Sequence, residues 1–224
     1  MRQARAGAGW PQWPAAACLA LAAHGSGAVP PPMPQTGADC EHPSYASDQR
    51  VCGDVALLAL DRQVQEAWRA IAAGRTARPP AAQAPVQEAV HEAADLPPLL
   101  EAQEAWFARR SRCAFAEAHA ACLTAAYRDR ARVLDAWQRA VSGTFAEPGT
   151  RMRCTGAPWG DAAVIVHRPM AEARVLGNLD GRVLAIATRG EGPDGWQPFV
   201  RIEGDAPPLR LRPLSGGAIS CSRD

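Results

Sequence analysis

From Asp54 onward the apolar residues Leu57, Leu60, Val64, Trp68 and Ile71 recur every three or four positions, the period of one helix face. The pattern predicts an amphipathic helix ending near Gly74. The stretch GRTARPPAAQAP reads as a loop, with a weak helical pattern following across Val86–Ala94. Asp95-Leu-Pro-Pro predicts the start of another helix, because a first helical turn tolerates proline's missing N–H. That helix would carry Leu99, Leu100, Gln103, Trp106, Phe107 and Arg110. A third helix places Leu123, Tyr127, Leu134, Trp137 and Val141 on one face. Three amphipathic helices facing one another predict a small bundle.

Beyond SGTFAEPG the period changes. AAVIVHR, EARVL, RVLAIATR, QPFVRIEG and LRLRPL are short β-favouring runs separated by Gly, Pro, Asn and Asp. Such spacing predicts an antiparallel barrel or sandwich. Cys154 opens this region and Cys221 closes it, so a bridge between them would tie the first strand to the last. On chain entropy it would contribute roughly 4 kcal/mol. The expected fold class is α+β in two modules. A helical domain spans 39–141, a linker 142–150, and a β-domain 151–224.

The N-terminus adds a processing segment. Arg2 and Arg5 form a basic region, Ala15–Ala23 is unbroken apolar, and Ser26-x-Ala28 is a small-x-small cleavage pattern. Residues 1–28 therefore read as a Sec-type signal peptide, followed by a Pro-rich spacer over 29–38. The apolar run is shorter than the roughly 20 residues of a membrane span, so no integral span is expected. Cys18, preceded by three alanines, raises a lipid anchor as the alternative. The expected location is periplasmic or secreted, with an outer-membrane lipoprotein as the minor alternative. A net charge of +1 gives no reason to expect nucleic-acid binding by phosphate neutralisation. Every basic residue among Lys and Arg is Arg.

Removing the leader leaves Cys40, Cys52, Cys113, Cys122, Cys154 and Cys221. An even number in an exported chain predicts disulfides, and the clustering along the sequence suggests that neighbours pair. The nearest approach to a zinc set is Cys113-x5-His119-x2-Cys122 with Cys40 or Cys52. Its spacing fits no common zinc module and the compartment is oxidising, so no metal is expected. His91-Glu92 lacks a second His at the zinc-protease spacing. No Gly-x-Ser-x-Gly elbow or phosphate-binding loop follows the leader. No catalytic residue, cofactor or enzymatic activity is expected. Asp61, Gln103, Arg110 and Arg130 fall on or beside the apolar helix stripes, where an unpaired charge is costly. Asp61 pairing with Arg110 or Arg130 would fix helix register.

These positions resemble the LprI-type lysozyme-inhibitor family across residues 39–138. The resemblance runs through Cys40, then Cys52-x4-Leu57-x2-Leu60-Asp61, with Trp68 at an aromatic position. It continues through Gln103-x2-Trp106-x3-Arg110-x2-Cys113 and Cys122-Leu123-x3-Tyr127-x2-Arg130-x3-Leu134. It implies bridges Cys40–Cys52 and Cys113–Cys122, and an architectural role for the polar residues. Residues 152–221 resemble MliC-type inhibitors of C-type lysozyme, small β-barrels with a cysteine at each end. Glu203 stands where that family has its inhibitory Lys, and no Ser-Gly-x-x-Tyr loop occurs near Thr188–Gly192. The resemblances imply an inhibitor with a lysozyme as protein partner. Arg189, Arg201 and Arg210 are the candidate target-binding residues, with Glu203 beside them. The alternative is an envelope interaction module that inhibits nothing.

Overall fold

The Asp54 carboxylate accepts hydrogen bonds from the backbone N–H of Ala56 (3.0 Å) and Leu57 (3.2 Å), capping the first long helix. The computed structural model describes residues 35–76, 97–190 and 195–223. Among them, four α-helices precede seven strands: α1 (Ala46–Cys52), α2 (Val55–Thr76), α3 (Gln103–Ser111) and α4 (His119–Ser142). A 3-10 turn, Arg112–Phe115, joins α3 to α4. The leader over 1–28, Cys18, most of the 29–38 spacer and the helical pattern at Val86–Ala94 lie outside the described residues.

The helices depart from a three-helix arrangement in two ways. First, α1 lies inside the Cys40–Cys52 loop, too short to show a period. Second, α3 begins only at Gln103. Leu99 instead runs beside the sheet, forming a bridge with Ala185 and donating its N–H to the Leu184 carbonyl at 3.0 Å. Pairing an exposed backbone edge outweighs continuing a helix whose start is rich in proline. The long helices α2 and α4 pack along each other, with the Trp68 and Trp137 rings 6.1 Å apart. Leu57, Val64, Leu123, Tyr127 and Leu134 are buried between the helices as their period requires. Val141 is the exception, 68 % exposed at the helix end. Gly143 ends α4 at φ +67°, a left-handed cap that costs glycine little.

The strands are β1 (Thr150–Thr155), β2 (Ala163–Met170), β3 (Ala173–Gly177), β4 (Val183–Thr188), β5 (Val200–Gly204), β6 (Leu209–Pro213) and β7 (Ile219–Arg223). They form a closed barrel in sequence order, with β7 returning to β1. Its pairs are antiparallel except β4–β5, which run parallel and meet at Thr188 and Arg201. Because β4 and β5 meet only at that point, part of the β4 edge stays open within the closed barrel, and the Leu99 segment takes it. Cys154 and Cys221 stand opposite one another in the β1–β7 register and are bridged. Cys40–Cys52 and Cys113–Cys122 are bridged too. Three disulfides point to an oxidising compartment such as the periplasm or cell exterior. Among the described residues no helix is long and apolar enough to cross a membrane.

Strand β6 alternates buried and exposed positions, while every residue of β3 and β4 is buried. The reason is that α4 covers the outer face of β3 and β4. Ala173, Val175, Val183 and Ile186 join the helical core, and Leu176, Leu184, Ala185 and Ala187 join the barrel core. The described helices and strands therefore belong to one compact unit.

Candidate functional site

Four polar residues predicted from the helix stripes are all buried, but their partners differ from expectation. Arg110 reaches Asp48 of α1 at 2.7 Å, with both side chains fully buried. Asp61 instead accepts from the Tyr127 hydroxyl at 2.8 Å and from the Ala38 N–H at 3.2 Å. Burial, above all, raises the Tyr127 phenol far above its usual range. Arg130 donates from Nε to Gln103 Oε1 and from Nη1 to the Glu101 carbonyl, each at 3.0 Å. Burial pushes its pKa down to about 10. These groups join α1, α2, α3 and α4 from the inside.

A different set builds a surface. The segment after β4 and the segment before β5 flank an open groove of about 480 Å³, lined by Arg189, Gly190, Gly195, Trp196, Pro198 and Arg201 among others. Trp196 is clamped from the helical side. Its indole N–H donates to the Asp129 carboxylate of α4 at 3.0 Å, and the Thr188 hydroxyl donates to the other carboxylate oxygen. The Arg109 guanidinium of α3 stacks 3.9 Å over the Trp196 ring and donates to the Gln197 carbonyl at 2.6 Å. Glu101 holds Arg109 through two charge-assisted bonds, at 2.7 and 2.5 Å. Desolvation raises the Asp129 carboxyl, outweighing the bonds from Thr188 and Trp196. The groove wall is thus a barrel segment pinned by two helices.

Arg189 and Arg201, both singled out by sequence, flank this groove at 52 % and 43 % side-chain exposure. Each also touches an acid of the barrel. Arg189 and buried Arg174 share Asp205, the latter at 2.8 Å, and Arg168 stands 3.9 Å from it. Burial, with Arg168 and Arg189 nearby, pushes the Arg174 pKa down to about 10. Glu203 accepts from Arg212 and Arg201 at 3.1 Å each, and these bonds hold its carboxyl below the usual range. Five guanidiniums thus share two carboxylates. Arg210 lies on the outer face of β6, opposite Gly204 and Ser220, and is not brought to the groove lining among the described residues.

Asp129, Arg109, Trp196 and Asp205 escape the sequence reading because each is defined by a partner on another element. One signal was available for Asp129. Ala125, Val133 and Ala136 form a second small, apolar face on α4, and both faces are buried. Among the described residues no group of three or more His, Cys, Asp or Glu is placed to hold a metal ion. No family model, curated protein or solved structure matches the chain.

Proposed function

We propose that this chain is an exported protein inhibitor of lysozyme-type muramidases, delivered by a Sec-type leader over residues 1–28. The observation that carries this reading is the pair of exposed guanidiniums, Arg189 and Arg201, flanking one pre-formed groove. A muramidase cleft presents two carboxylates across the scissile bond. Guanidinium donors match carboxylate oxygens in geometry and charge. Pinning the groove wall by Asp129 and Arg109 lowers the ordering cost of binding. The sequence resemblances to the LprI and MliC types support the same reading.

A second reading is favoured by one observation. Asp205 and Glu203 already occupy part of the Arg189 and Arg201 donors. That partial neutralisation suits an envelope interaction module that inhibits nothing. The mature protein is titrated against C-type, goose-type and invertebrate-type lysozymes while cell-wall lysis is followed, with gel filtration alongside. Loss of lysis with a co-eluting complex is expected. A complex without loss of lysis would support the second reading. Undiminished lysis at micromolar protein with no complex would remove the inhibitor reading for those classes.

A further inference from the structure

Phe115 is 91 % exposed at the end of the 3-10 turn that leads into the Cys113–Cys122 loop. Nothing in the helical core accounts for it: its neighbours Cys113 and Ala116 turn inward while the ring faces water. A single exposed aromatic is ordinary on a surface. Its place is not. The Ala116 side chain lies close enough to Gly195 that a β-carbon there would sit 3.6 Å from it. Gly195 is part of the groove lining, next to the clamped Trp196. The disulfide loop of the helical part therefore abuts the barrel groove at its rim, and Phe115 is one residue from that contact.

We propose that Phe115 and the Arg189/Arg201 groove form one composite docking face, on which the helical part supplies the apolar anchor and the barrel supplies the charge. The occupant is the carboxylate-bearing cleft region of a muramidase, and the proposal rests on the inhibitor reading above. The chemistry divides as hot spots do: an aromatic ring that desolvates a partner's apolar surface, next to arginines that orient it. The Cys113–Cys122 bridge limits the ring's freedom before binding, so less entropy is lost on docking. The arginine contribution should weaken with salt, whereas the ring's should not. A barrel acting alone would need no aromatic on the helical side. The composite face predicts that substitutions on both parts weaken one and the same complex.

The test uses the full mature chain and whichever lysozyme class it inhibits. Phe115→Ser, the double variant Arg189→Ala/Arg201→Ala, and Val55→Ser are compared with the unsubstituted protein by calorimetric titration at low and moderate salt. Val55 is the control, an equally water-facing residue (86 % exposed) on α2, which packs on α1 and α4. Phe115 and Val55 are largely exposed and Arg189 and Arg201 about half exposed, so unchanged melting and intact disulfides verify the fold. Phe115→Ser is expected to weaken binding by about tenfold or more at both salts. The arginine pair is expected to weaken it at low salt and less at moderate salt, and Val55→Ser to leave it unchanged. Unchanged affinity for Phe115→Ser, or for the arginine pair, would overturn the composite face while the inhibitor reading stands. Equal weakening by Val55→Ser would also overturn it. If the unsubstituted protein binds no lysozyme, the inhibitor reading falls, and this face with it.

Discussion

Asp129 shows how one side chain joins the two kinds of structure. Its carboxyl is buried between α4 and the barrel, with the Thr188 hydroxyl and Trp196 indole as donors. Because burial raises its pKa in the fold, the protonated form is the one the fold favours. Its contribution to stability is therefore full below the unfolded value of about 3.9 and is lost as pH rises through the folded value. Asn imitates the neutral acid. Relative to Asp129→Asn, the unsubstituted protein should thus lose stability as pH climbs from about 4, as read by urea unfolding at successive pH values. A pH-independent difference would refute the raised pKa. Arg110 makes the complementary point. Its burial was legible from the helix period, but its partner Asp48 sits on a helix too short to read.

At the scale of elements, the connection between α4 and β1 is held at defined points. The Phe145 ring stacks on His167 of β2 at 3.9 Å between centroids. Gly149 approaches the same strand so closely that a β-carbon would stand 2.2 Å from Ile165 Cγ2 and 2.7 Å from His167 Cε1. Gly149→Ala should therefore force a strand or linker shift and cost about 1–3 kcal/mol. Thermal unfolding would show a midpoint lowered by several degrees. Gly217→Ala, where a β-carbon meets nothing within 4 Å, should leave the midpoint nearly unchanged. Equal midpoints for the two variants would contradict the close approach. Strands β2 to β6 were legible because β-favouring runs are separated by turn residues, whereas β1 and β7, polar at most positions, did not stand out as runs. The extended run of Leu99 was not, because it depends on an edge of β4 being available.

For the molecule as a whole, the decisive feature is that α4 is buried on two faces. One packs on α2 and the other on β3 and β4, so helices and strands share a core. Residues that share a core lose their packing together. Tryptophan fluorescence and far-ultraviolet dichroism should thus report one coincident urea transition, with Trp68, Trp106 and Trp137 in the helical part and Trp159 and Trp196 in the barrel region. Two separated transitions would show that the helical and barrel parts unfold independently. Reading the sequence as two modules joined at 142–150 follows naturally from the change of period there. Period alone does not report that the second face of a helix is covered.

Local chemistry was enough to place the helices α2 and α4, the strands β2 to β6, the cysteines and the charged positions on helix stripes. Side-chain period, turn residues and cysteine count act over short stretches, so they can be read along the chain. The resemblance to LprI-type inhibitors implied two of the bridges, and the Cys154–Cys221 clasp follows from its place at both ends of the strand region. Partner choice needed the fold: Arg110 with Asp48, Asp61 with Tyr127, and Trp196 with Asp129 join residues 62, 66 and 67 positions apart. So did the groove, because Arg189 and Arg201 meet only when β4 and β5 come side by side in the closed barrel. Such contacts depend on which surfaces remain uncovered after the elements form, and that is a property of packing in three dimensions.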